Sequence, residues 1–127
     1  MKPVLLEVKE LKKYFPVKKD TYFEKQRYLK AVDGISFAIR EGETLGLVGE
    51  SGCGKSTTGK MIVKLLNPTS GSIHYKGKNI FSLSVQESKD LKRQVQMIFQ
   101  DPYSSLDPRQ SAGRIIMEPL VVHDMKE

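Results

Sequence analysis

Nine consecutive residues carry the strongest chemistry in this chain: Gly49-Glu50-Ser51-Gly52-Cys53-Gly54-Lys55-Ser56-Thr57. They fit G-x-x-x-x-G-K-[S/T], the spacing of a phosphate-binding P-loop. A glycine-rich turn lets backbone N–H groups point inward at phosphate oxygens, with no Cβ in the way. Lys55 brings a positive charge to the β- and γ-phosphates, and the Ser56 hydroxyl can ligate Mg²⁺. Thr57 opens the following helical turn, whose N-terminus adds its own preference for anions.

Such a loop needs a strand before it and a helix after it. Glu43-Thr44-Leu45-Gly46-Leu47-Val48 is a short apolar run that reads as a buried strand. Residues 57–66 read as a helix with Met61, Leu65 and Leu66 near one face. Its expected end is Asn67-Pro68, because proline disfavours α geometry in the residue before it. A chance glycine-rich turn would not come with both flanks.

A second signal lies downstream in Gln100-Asp101-Pro102-Tyr103-Ser104-Ser105-Leu106-Asp107-Pro108-Arg109. Val95 to Phe99 is strand-like and Asp101-Pro102 stops it. A glutamine at a strand end can bring its carbonyl near a metal and a water. With the P-loop, this block and Asn67-Pro68-Thr69-Ser70-Gly71 make the sequence resemble the ATP-binding subunits of ABC transporters. It looks most like the F-type subunit of oligopeptide and dipeptide importers, over about Leu5 to Leu120. The resemblance implies an α/β P-loop NTPase fold. Residues 1–127 would be the N-terminal part of the ATPase domain: an antiparallel β subdomain and the start of a parallel core.

The resemblance also assigns roles. Gln100 becomes the Q-loop residue, which contacts Mg²⁺ and the attacking water and couples the site to membrane subunits. Ser56 and Gln100 become the metal contacts, and Gly49 to Thr57 hold ATP. An aromatic at the end of the first strand stacks on adenine. Leu11-Lys12-Lys13-Tyr14-Phe15 places Phe15 there, with Tyr14 or Tyr28 as alternates. The implied assembly is a head-to-tail dimer with a second ATP-binding subunit, docked on membrane subunits at the cytoplasmic face. Catalysis would be positioning plus charge stabilisation.

Other family parts are missing from these residues. No Ser-Gly-Gly occurs, no apolar run ends in Asp-Glu, and the one histidine after Gln100 is His123. The signature motif, the Walker B acidic pair and the switch histidine are thus absent. The resemblance implies a truncated product, a piece of a split gene or an engineered excerpt. No catalytic base can be named, and Gln100 only supports the water and metal site. The competing reading is a nucleotide-binding fragment without turnover. A GTPase is opposed by the absence of Asn-Lys-x-Asp, since Asn79 is followed by Ile80.

The 127 residues suffice for one small domain. No run approaches the roughly 18 apolar residues of a membrane span, so membrane association is expected through partners. A single cysteine, Cys53, forms no internal disulfide and fits a reducing compartment. It fills an unrestricted position of the loop. The net charge is +6, from 21 basic and 15 acidic residues, with much of the excess between Lys9 and Lys30. Tyr14, Phe15, Tyr22, Phe23 and Tyr28 interleave there, a pattern nucleic-acid binders share. A solvated excursion between two strands accounts for it, and no nucleic-acid partner is expected.

The remaining elements are simpler. Leu5 to Phe15 reads as a strand. Gly34 to Arg40 alternates, with Ile35, Phe37 and Ile39 inward. Ser72 to Tyr75 and Asn79 to Phe81 read as short strands about a Lys76-Gly77-Lys78 turn. Ser84 to Arg93 is helical, with Ser84 and Glu87 placed for a capping box. Ser111 to Val122 is helical. His74 is expected at a surface or sheet edge, Met61, Met97 and Met117 as core or interface fillers, and Asp101 and Asp107 as turn formers.

Overall fold

The computed structural model describes residues 1–19, 21 and 23–125. The chain divides into two units, Met1–Ser84 and Val85–Glu127. The first holds strands β1 (Val4–Pro16), β2 (Tyr28–Arg40), β3 (Ser70–Tyr75) and β4 (Lys78–Asn79). Helix α1 (Lys55–Ile62) lies between β2 and β3 in sequence. The strands form one antiparallel sheet in the order β2-β1-β3-β4.

The core of this unit is Leu6, Val8, Leu11, Val32, Met61, Ile73 and Ile80. In a regular strand Leu11 would face away from Leu6 and Val8, because successive side chains alternate. A bulge prevents that. Glu10 has φ 45°, and the register slips between Val8 and Leu11. The extra residue turns Leu11 back to the apolar face, where its exposure is 0%. Burial of a leucine side chain stabilises by about 1.5–3 kcal/mol. Ser36 holds the bulge, accepting from Glu10 N at 2.8 Å and donating to Glu10 Oε1 at 3.1 Å.

Asn67-Pro68-Thr69-Ser70-Gly71 laces the chain back onto β1. Thr69 N donates to Lys12 O at 2.8 Å, and Tyr14 N donates to Thr69 Oγ1 at 2.9 Å. Lys13 Nζ donates to Asn67 O at 2.7 Å. Gly71, at φ 87°, lies on the bulge itself: a Cβ there would overlap the Glu10 carbonyl oxygen and stand 2.7 Å from Leu11 Cα.

Several expectations hold. β2 alternates with Ile35, Phe37 and Ile39 more buried than Ser36, Ala38 and Arg40, although it begins earlier, at Tyr28. Lys76 and Gly77 both have positive φ, as a two-residue hairpin turn requires. The second unit has helices α2 (Val85–Gln94) and α3 (Ala112–Val122), with a 3-10 turn at Tyr103–Ser105. Ser111 caps α3, accepting from Arg114 N. Asp101 Oδ1 accepts from Tyr103 N and Ser104 N, and Asp107 Oδ1 from Arg109 N, so both aspartates form turns.

Others are corrected. Neither Glu43–Val48 nor Val95–Phe99 is a strand. Val48 and Ile98 are 92% and 94% exposed. A parallel strand takes its hydrogen bonds from neighbours, and among the described residues no strand pairs with either run. Apolar composition alone does not hold them extended. Helix α1 starts two residues earlier than expected and ends at Ile62, before the proline. Lys64 takes φ 58°, with Leu65 N bonded to Lys60 O at 2.8 Å and Lys64 N to Met61 O at 3.1 Å. That is a Schellman ending with lysine in the left-handed position. Phe81 belongs to a 3-10 turn, Ile80–Ser82, because the Asn79 side chain accepts from Phe81 N at 3.0 Å. His74 is half-buried and is not at an edge: β3 is an inner strand, and His74 stands between Glu7 and Asn79. Its Nδ1 is buried without a hydrogen-bond partner. Met61 is core as expected, whereas Met117 is 57% exposed.

Candidate phosphate-binding site

The glycine loop runs from Gly49 into α1. Gly52 and Gly54 have φ of 81° and 95°, where a side chain is strained. Gly54 has a second constraint: a Cβ would overlap the Ala31 carbonyl oxygen. The loop therefore sits against β2 backbone, and only glycine permits that approach. Gly54 is also the N-cap of α1, so no side chain caps this helix, and its first turn holds no acidic residue. The leading amides and the positive end of the helix are left for an anion.

Lys55 spans the loop. Its Nζ donates to Gly49 O at 2.7 Å, to Glu50 O at 2.6 Å and to Cys53 Sγ at 3.4 Å. The ammonium is thus held against the loop by the loop's own carbonyls. Cys53 N donates back to Glu50 O at 3.3 Å, and the Cys53 side chain is exposed. Thr58, 2% exposed, ties Oγ1 to Gly54 O at 2.9 Å and fixes the loop-to-helix junction. Ser56 is exposed in the first turn. A single hydroxyl suits Mg²⁺, which keeps several waters and takes its other ligands from phosphates. A cavity of about 360 Å³ adjoins the loop, lined by Ala31, Val32, Leu47, Gly54, Lys55 and Thr58 among others.

The aromatic candidates separate. Tyr14 and Phe15 are consecutive in β1 and so face opposite sides of the sheet. The Tyr14 hydroxyl donates to Asp33 Oδ1, and Lys30 Nζ lies 5.4 Å from its ring centroid and 3.5 Å from Asp33 Oδ2. Phe15 has Lys13 Nζ at 5.1 Å from its ring centroid. Tyr28 pairs with Pro16 at the strand end and is 57% exposed. Gln100 belongs to the second unit, just before Asp101. The Tyr14–Asp33–Lys30 cluster was hidden in the sequence. Only the cross-strand register, with a slip between Lys13 and Tyr14, brings these three together.

That cluster carries a pH prediction. The Tyr14 hydrogen bond, aided by Lys30 and Lys12, holds the Asp33 carboxyl below its ordinary range, and the same bond raises the Tyr14 hydroxyl. A lowered carboxylate contributes stability above its unfolded pKa, and that contribution is lost as pH falls through the folded value. The window is therefore below about pH 4. Tyr14→Phe should lower the urea midpoint at pH 7, and the deficit should shrink by pH 3. A deficit constant across that range would show that the pair is not linked to folding.

A glycine loop opening an uncapped helix, crossed by its lysine, defines a P-loop nucleotide-binding protein. The family model described as ABC transporter matches residues 32–125, and the chain belongs to that family. It is 52% identical over 121 residues to the putative oligopeptide transport ATP-binding protein YkfD of Bacillus subtilis (strain 168), covering 95% of this chain and 35% of that protein. It is 44% identical over 119 residues to the dipeptide transport ATP-binding protein DppF of Escherichia coli (strain K12), covering 94% and 35%. The chain thus spans about a third of the length of these relatives. Among solved structures, the ATP-binding cassette MJ0796 bound to ADP and Pi, a dimer, aligns with a TM-score of 0.77 at 24% identity, covering 94% of this chain and 48% of that one. The fold is that of the N-terminal part of an ABC ATPase domain.

Proposed function

We propose that this chain is the nucleotide-binding, N-terminal part of an ATP-binding subunit that powers peptide import. The observation that carries the reading is the uncapped start of α1, with Lys55 held across the glycine loop by Gly49 O and Glu50 O. The names of the relatives, oligopeptide and dipeptide transport ATP-binding proteins, supply the transport context. Residues 1–127 then form part of one domain. Gly49 to Thr57 hold the phosphates of ATP, and Lys55 neutralises their charge. Ser56 holds Mg²⁺, which when bound would offset charge on the phosphate oxygens.

Phe15 is the base-stacking ring in this reading. Its place rests on the resemblance; strand alternation puts it on the side of Lys13 and Val32, while Lys30 and Asp33, on the side of Tyr14, line the same cavity beside the loop. Tyr14 is on the other side, with its hydroxyl committed to Asp33. Gln100 would act on turnover and on coupling to membrane subunits more than on affinity. The partners are a second ATP-binding subunit, head to tail, and membrane subunits that hold the pair at the cytoplasmic face. No helix among the described residues is long and apolar enough to cross a membrane.

Calorimetric titration of the 127-residue chain with MgATP tests the reading. Saturable binding, weakened by Ser56→Ala, is expected, with no phosphate release. The absence of saturable binding would sink the site assignment. P-loop-dependent phosphate release would sink the view that this chain binds without turning over. In the complete subunit within its transporter, Gln100→Ala should hold binding within a few-fold and lower transport-linked hydrolysis.

A further inference from the structure

The hairpin tip joining β1 to β2 has features that nucleotide binding does not use. Residues 17–30 hold five basic residues against two acidic ones. Two of the five are internally paired: Arg27 with Glu24 at 3.6 Å, and Lys30 with Asp33 at 3.5 Å. Lys18, Lys19 and Lys25 are exposed, and no described residue pairs with them. Apolar side chains stand among them. Phe23 is 97% exposed, Leu29 62%, Tyr28 57% and Val17 43%.

Val17 N donates to Arg27 O at 2.9 Å, and Gln26 Nε2 donates to Val17 O at 2.8 Å and to Arg27 O at 3.0 Å. The turn is closed by polar bonds, while Phe23, Tyr28 and Leu29 are largely exposed. Water-exposed apolar surface gains free energy wherever a partner removes it from solvent.

Lysines around protruding aromatic and aliphatic side chains suit an anionic bilayer surface. Lysines are drawn to phosphate headgroups as point charges, while rings settle at the interface. A single-stranded nucleic acid fits less well. It asks for flat rings on which bases stack, and Val17 and Leu29 cannot stack. We propose that the β1–β2 hairpin tip docks on an anionic lipid surface, with Lys18, Lys19 and Lys25 over the phosphates and Phe23 and Leu29 in the interface. This adds a direct lipid contact to the one made through partner subunits, and it is independent of the nucleotide site.

The chain has no tryptophan, so Phe23→Trp places a single reporter at the tip. The probe is unilamellar vesicles of phosphatidylcholine with about one third phosphatidylglycerol, compared with phosphatidylcholine alone. Binding of the full chain to the anionic vesicles, weakening with salt and accompanied by a blue shift of the tryptophan, is expected. Each basic side chain near such a surface contributes about fivefold. Lys18→Ala/Lys19→Ala/Lys25→Ala should therefore lower partitioning roughly a hundredfold, while MgATP titration is unchanged. Equal binding to both vesicle types, an unshifted spectrum on bound vesicles, or no loss in the triple variant would overturn the proposal. So would capture of a single-stranded oligonucleotide in preference to the anionic vesicles. Failure of MgATP binding with vesicle binding intact would instead count against the nucleotide reading alone.

Discussion

Lys55→Ala should remove most nucleotide binding, by at least about 10-fold and up to about 150-fold, since a charge-assisted hydrogen bond contributes about 1.5–3 kcal/mol. Cys53→Ala should stay within about twofold, because its thiol makes only a weak contact. The two side chains touch at 3.4 Å, so both substitutions disturb the same corner of the loop. They differ in charge and in reach. Lys55 is the cation there and also bridges Gly49 O and Glu50 O. Its loss removes the phosphate counter-charge and the brace together, whereas the Cys53 side chain is exposed. Calorimetric titration of the two variants with MgATP decides it. Equal losses would mean that the loop binds by shape and amides alone.

The other large effect is on stability. Gly71→Ala should cost about 3–5 kcal/mol, a large share of the 5–15 kcal/mol that holds a typical domain folded. Part of the cost is the left-handed backbone, about 1–2 kcal/mol at φ 87°. The remainder is overlap with the β1 bulge, where the obstructing atoms are backbone and cannot swing aside. Gly77→Ala is the control. Its φ is 79°, but a Cβ there meets nothing within 4 Å, so only the conformational cost of about 1–2 kcal/mol applies. Urea midpoints of the two variants should differ clearly. Equal midpoints would show that the contact between Gly71 and the bulge relaxes freely.

What was legible in the sequence was what short-range rules write down. The P-loop announces itself by spacing and β2 by alternation. Leu11 defeats the alternation rule, because the bulge at Glu10 depends on Ser36 and Gly71, distant residues that a period-two pattern ignores. The block from Asn67 to Gly71 was visible only as a likeness. Its physical content, hydrogen bonds to β1 and a glycine pressed on the bulge, required the register. The end of α1 was misread because proline is a conspicuous breaker, while a lysine in left-handed geometry leaves no mark. The runs at Glu43 and Val95 were read as strands on composition, and a strand is a relation between segments.

The central place of β1 governs the order in which this protein can assemble during synthesis. β1 leaves the ribosome before β2, which can join it once residue 40 has emerged. Its other edge must wait for β3, at residues 70–75. Until then the phosphate loop and α1 trail from β2, held only by the approach of Gly54 to the β2 backbone. Closure of β3 onto β1 fastens the far end of that tail. The capacity to hold a phosphate should therefore appear abruptly along the nascent chain, after Tyr75 clears the exit tunnel, and not when Thr57 does.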